Sequence, residues 1–158
     1  MNKYRTELKW GLIFTAMMLI WMIGENLTGL HDVHIDKHPI FTNLILFPAV
    51  LIFVLALREK RDKDLGGKMT WMQGFIAGLL ISVVVAALSP LVQYLTHVII
   101  SPQYFENAIA YSVESGNATQ GEAESFFNLG SYLIQGAVGA IFMGMITSAI
   151  VSFFVRKS

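Results

Sequence analysis

The side chains best equipped for chemistry in this sequence gather near one point. Glu25 lies at the end of an apolar run, and His31, His34 and His38 follow it beside Asp32 and Asp36. Imidazole with carboxylate suits zinc or nickel, and the histidine spacing can bring several ligands onto one turn. The pattern lacks the Cys or His-Glu spacing that makes a metal motif specific, and a short polar loop accounts for it equally well. No bound metal or cofactor is therefore expected, with His31, His34 and His38 as the only candidates. Absence of cysteine excludes disulfides, thiolate metal sites, iron–sulfur clusters and cysteine nucleophiles. Gly66-Gly67-Lys68 fails as a phosphate loop, because Asp62 stands where the earlier glycine belongs and Met69 where Ser or Thr is needed. With no nucleophile elbow or zinc-protease helix either, no catalytic residue is assigned and the chain is expected not to be an enzyme.

A second group is defined by depth. Glu25, Asn43, Gln93, His97 and Gln135 each fall within about two turns of the same end of an apolar run, taking ~1.5 Å rise per residue. The other halves of these runs hold nothing comparable beyond Ser and Thr. A carboxylate at the centre of a membrane span costs about 2.5–3.5 kcal/mol on insertion scales, and less toward the interface. One reading has Glu25 snorkel to outer water while the amides tie helices together. The other makes the group a polar vestibule in which Glu25 binds a cation or proton, with His97 as its partner.

The elements that must position these groups are membrane helices. The chain has 158 residues, 54% of them hydrophobic, well above soluble averages. About 20 apolar residues cross ~30 Å of hydrocarbon, and four segments qualify, at about 10–30, 40–57, 71–100 and 128–155. Pro48 interrupts the second, and Ser89-Pro90 predicts a kink in the long third. The run behind Lys3, Arg5 and Lys9 lacks a small-residue cleavage site, so a retained helix is expected rather than a signal peptide. The predicted fold is all-α, a single membrane domain over 1–158.

Charge placement orients the spans. Eleven basic and eleven acidic residues cancel, which leaves no field to attract nucleic acid. Ten of the eleven basic residues lie on the termini or on the middle loop from Arg58 to Thr70, which reads as a solvated turn; only Lys37 lies elsewhere. This positive-inside pattern predicts four crossings with both termini cytoplasmic. On the outer side, Ser101-Pro102 reads as the cap of a short helix reaching about Glu114. Thr119 with Glu122 then reads as a capping box opening another helix.

Two ladders of small residues complete the pattern. Gly74, Gly78, Ser82, Ala86 and Pro90 recur every four residues in the third span, and Gly136, Ala140, Gly144, Ser148 and Ser152 do so in the fourth. Such faces let helices approach closely in lipid, within one chain or between chains.

Gly67-Lys68-Met69-Thr70 leading through Gln73-Gly74-Phe75, the Ser89-Pro90 step, Tyr104-Phe105, and the glycine-spaced last span ending in Arg156-Lys157 give the chain its family likeness. It resembles, over nearly its whole length, the bacterial membrane proteins grouped as domain of unknown function 4199. The resemblance implies a four-helix protein of the bacterial inner membrane and carries no activity to transfer. The expected role is that of a structural or accessory component acting by helix association, with lipid, further copies of itself or other membrane proteins as partners. The alternative is a small channel or permease for a cation, proton or small polar solute at the Glu25 level.

Overall fold

A computed structural model describes residues 4–157; Lys3 of the basic N-terminal group lies outside the described residues. Four helical runs, Arg5–Leu27, Ile35–Asp64, Trp71–Ile100 and Leu129–Val155, are long and apolar enough to cross a membrane. The chain is a membrane protein by that criterion, and its packing agrees. Large apolar side chains such as Leu27, Phe47, Ile134 and Phe154 point outward, whereas Ala56, Ser82, Ser89, Ser148 and Ser152 are fully buried. Inward small residues and outward large ones are the distribution that lipid favours, because tails solvate Leu and Phe as well as a core does.

The first run is helix α1 (Arg5–Leu27), which begins five residues before the expected span and stops three before its expected end. The early stop has a local cause. Thr28 is the C-cap and Gly29 takes φ +76°, while the Leu30 N–H donates to the Glu25 carbonyl and the Gly29 N–H to that of Asn26. That is a Schellman ending, in which glycine supplies the left-handed residue at no steric cost.

The second run is longer than expected. It comprises a 3-10 turn at Ile35–Lys37, the short α2 (His38–Phe41), a 3-10 stretch at Thr42–Ile45, α3 (Leu46–Glu59) and a π-helical turn at Lys60–Asp64. Pro48 falls in the first turn of α3, where a missing N–H costs least. Beyond Leu57 the expected solvated turn is still helix, because Lys60 pairs with Asp64 and with Glu7 of α1, and Lys9 pairs with Glu59. The true turn is confined to Leu65–Thr70, with Gly66 and Gly67 at φ +67° and +88°. Met69 and Lys157 exchange backbone hydrogen bonds of 2.8 and 2.9 Å, tying this turn to the C-terminus.

Helix α4 (Trp71–Tyr94) starts from a Thr70–Gln73 capping box and contains Pro90. Departure from α geometry comes a turn after the proline, as a π-helical segment Leu95–Ile100. Two short helices follow, α5 (Tyr104–Glu114) and α6 (Gln120–Phe126), the latter opened by the expected Thr119–Glu122 capping box. Gln103, not Ser101, is the N-cap of α5, and it makes no side-chain capping bond. The last run is α7 (Leu129–Val155), capped by Asn128.

Helices α4 and α7 form the most extensive pair of the bundle, and they are antiparallel. The expected ladders meet each other there, inside one chain. A Cβ added to Gly78 would lie 2.6 Å from the Ser148 Cβ, one on Gly144 would lie 2.5 Å from the Ser82 Cβ, and one on Gly74 would lie 3.0 Å from the Ser152 Cβ. Glycine of each helix thus faces serine of the other in a reciprocal arrangement. Both serine hydroxyls are turned back to their own helix, Ser82 onto Gly78 O at 2.9 Å and Ser148 onto Gly144 O at 2.5 Å. Gly136 faces Ser89 and Gln93, and Ala140 packs against the core. Ala86 instead lines a shallow outward groove beside Val138 and Phe142.

Candidate functional site

Two polar clusters are buried in this apolar bundle, one at each end. At the end that carries Arg58–Lys68 and Lys157, hereafter the basic end, Glu7 is 3% exposed and its Oε1 lies 2.8 Å from Lys60 Nζ. Its Oε2 has no hydrogen-bond partner among the described residues. Trp10 Nε1 donates to Glu59 at 2.8 Å beside it. The expectation that this half holds only Ser and Thr is therefore incorrect. Extending α1 back to Arg5 and the second run forward to Asp64 brings Glu7 and Lys60 into the packed interior.

The other end, the histidine end, holds the candidate site. Because the Schellman turn reverses the chain after Leu27, His31 comes back over the last turn of α1, and the start of α2 brings His38 to the same place. Glu25 is 3% exposed, so it does not snorkel. Its Oε1 accepts from Trp21 Nε1 at 2.6 Å, one helical turn earlier. Its Oε2 lies 3.1 Å from His31 Nε2 and 3.3 Å from His38 Nε2. One carboxylate oxygen thus faces two imidazole nitrogens, and the three potential ligand atoms all lie within 4.8 Å of one another.

Around this trio a second layer fixes the rings. His31 Nδ1 lies 2.6 Å from Ser101 Oγ, which also accepts from Asn26 Nδ2 at 2.9 Å. Ser101 therefore serves this network instead of capping α5. The His31 carbonyl accepts from Asn107 of α5 at 3.0 Å. Tyr104 packs its ring against His31, His38 and His97, with centroids 5.1, 5.4 and 4.9 Å away. Burial pushes the Tyr104 phenol above its ordinary value, and the neighbouring Tyr132 adds to that, so it stays a neutral hydroxyl.

The expected groups are divided differently in space. His31 and His38 converge on Glu25, whereas His34 is exposed. His97 does not reach Glu25; its Nε2 lies 3.0 Å from Gln93 Oε1, its ring stacks on Phe105, and its Nδ1 is buried without a hydrogen-bond partner among the described residues. Asn43 donates to its own helix at Pro39 O, 2.7 Å away. Gln135 lines a central cavity of about 500 Å³, together with Thr42, Ser82 and Thr147. A second cavity, of about 610 Å³, runs between α1 and the second helical run, apolar along Met17, Ile20, Leu44 and Pro48 and reaching Glu25, His34 and Lys37.

Chemically, Glu25 with His31 and His38 can hold a proton shared over two imidazoles, or a metal ion with an N₂O donor set. A buried carboxylate without such partners would carry a desolvation cost of several kcal/mol.

Fold and site together define a four-helix membrane protein with a buried carboxylate–imidazole cluster at one end of the bundle. It belongs to the family described as Protein of unknown function (DUF4199), which matches residues 9–157. No curated protein and no solved structure matches the chain at a significant level.

Proposed function

We propose that this chain is a bacterial inner-membrane protein, both termini cytoplasmic, that binds a small cation from the outer face at Glu25, His31 and His38. It does so as an accessory component, without catalysing a reaction. The observation that carries this reading is the single carboxylate oxygen facing two imidazole nitrogens at 3.1 and 3.3 Å in a buried setting. Each of those contacts is favourable only when a proton or a metal ion lies between the two electronegative atoms. Occupancy then governs how firmly the His31–His38 segment closes over the end of α1. The small-residue ladders, which would favour association between chains, are spent on the α4–α7 contact, so the accessory role rests on the cation site.

A conduit is the second reading, favoured by the central cavity lined by Gln135, Ser82, Thr42 and Thr147 between the Glu25 and Glu7 levels. The two are separated by one comparison in liposomes of the native protein and Glu25→Gln. An accessory cation site predicts that pH and added divalent ions shift the thermal midpoint of the native protein, that Glu25→Gln abolishes the shift, and that neither variant carries proton or cation flux. Flux lost in Glu25→Gln would instead favour the conduit. Coincident stability profiles for the two proteins would remove the cation reading altogether.

A further inference from the structure

Resting on the reading that the Glu25 cluster takes a cation, we infer that the cation is a divalent transition metal of the zinc class, ligated by Glu25 Oε2, His31 Nε2 and His38 Nε2. The first argument is spacing. Ligands about 2.0–2.1 Å from a tetrahedral zinc ion stand roughly 3.3–3.4 Å apart. Oε2 stands 3.1 and 3.3 Å from the two nitrogens, and the largest separation in the trio is within 4.8 Å. Bringing the two imidazoles somewhat closer is the only adjustment the set requires.

The second argument is donor chemistry. Two imidazole nitrogens and one carboxylate oxygen suit zinc, nickel or cobalt, whereas magnesium and calcium call for oxygen ligands throughout. Three protein ligands leave a fourth position for water or an exchangeable anion, the arrangement of open rather than closed zinc sites. Glu25 also lines the 610 Å³ cavity that reaches His34 and Lys37, which gives that position a route outward.

The third argument is the layer behind the ligands. Metal-bound imidazoles are oriented by a hydrogen bond at the other ring nitrogen. His31 has that bond, Nδ1 to Ser101 Oγ at 2.6 Å, and the spare oxygen of Glu25 is held by Trp21. In the metal-free state the Ser101 hydroxyl donates to Nδ1 and Nε2–H donates to Glu25. With metal bound, the ring's one proton sits on Nδ1 instead of Nε2, Nδ1–H donates to Ser101, and the Nε2 lone pair turns to the ion. The imidazole carries one proton in both states, so atoms and charge balance, and metal uptake becomes coupled to a change of tautomer. Ser101 is a positioning residue in this scheme, while His34, exposed on the same segment, has no part in it.

The test uses the full chain in nanodiscs, purified with a tag free of histidine and stripped with chelator. Calorimetric titration with ZnCl₂ should give one ion per chain, and Co²⁺ should give the intense visible absorption of a four-coordinate site. His31→Ala and His38→Ala should weaken zinc binding at least ~100-fold, and Ser101→Ala by roughly 10–100-fold, the range for an outer-shell partner. His34→Ala should leave it unchanged. Circular dichroism and elution volume identify any variant that fails to fold, and the three histidine variants are read only against one another at equal helicity. Absence of stoichiometric binding by the native protein, or equal losses in His34→Ala and His31→Ala, would overturn the metal assignment. If zinc does not bind while the pH dependence of stability is still lost in Glu25→Gln, the cation is a proton and only this inference falls. If the pH dependence is absent as well, the cation reading falls with it.

Discussion

At Gly78 the backbone of α4 approaches α7 so closely that one methyl group would lie 2.6 Å from the Ser148 Cβ and 3.4 Å from its Cα. In an exposed helix, Gly→Ala is worth about 1 kcal/mol of added stability. Here the methyl meets a Cβ and a backbone atom, which cannot swing aside, so overpacking of about 1–3 kcal/mol wins. Gly78→Ala should therefore lower the unfolding midpoint in detergent, and adding Ser148→Gly should recover most of the loss. Gly139→Ala, where nothing lies within 4 Å, should be neutral or stabilising. A destabilised Gly139→Ala with an unaffected Gly78→Ala would remove the α4–α7 seam as a source of stability. These small residues were legible in the sequence because their four-residue period is local. The site was legible only in parts. Glu25 read as one member of a depth level and His31 and His38 as members of a loop, because their meeting depends on a reversal between them. Glu7 was missed for a related reason, since a charge near a chain end looks solvated until another helix is known to cover it.

The reversal at the end of α1 is an element-scale device with its own signal, Thr28-Gly29 after an apolar helix. Apolar run length extends the expected span to Leu30, and that masks the cap. Gly29 sits at φ +76°, and a Cβ there would also lie 2.7 Å from Val33 Cγ2. Gly29→Ala should cost about 1 kcal/mol for the left-handed backbone alone. Gly66, at φ +67° with nothing within 4 Å, pays the same backbone term at the basic end. Gly29→Ala should therefore lose at least as much stability as Gly66→Ala, and only Gly29→Ala should weaken cation binding, because it alone displaces His31 from Glu25. Equal binding in both would show that the Schellman turn does not position the site. Elsewhere the expected spans at 71–100 and 128–155 match the helices nearly to the residue, because their apolar runs stop where the helices do, and each helix opens on a side-chain cap, Thr70 and Asn128. The second run was read short because its ends are held by tertiary ion pairs and 3-10 turns, which leave no hydropathy signal.

For the whole molecule, the bundle's two ends differ in a way that bears on the candidate site. Every described Lys and Arg except Lys37 lies at the basic end, and the second run carries its charges there as ion pairs rather than as a free loop. Lys and Arg flanking short loops resist translocation, which is why their excess marks the cytoplasmic side. Pairing with Glu7, Glu59 and Asp64 leaves that argument in force, because the translocation machinery reads the chain before these pairs form. In the proposed topology the turn after Glu114 and the histidine site lie outside, where metal ions would arrive without passing the membrane. Because the chain has no cysteine, a single introduced thiol reports its own location. Lys63 and Asn117 are both exposed, one at each end. In intact cells an impermeant maleimide should label Asn117→Cys, and it should label Lys63→Cys only after the membrane is opened. Reversed labelling would keep the bundle but put Glu25, His31 and His38 on the cytoplasmic face, where the site would meet a tightly buffered metal pool. Equal labelling of both in intact cells would mean that the helical runs do not separate the two ends across a membrane.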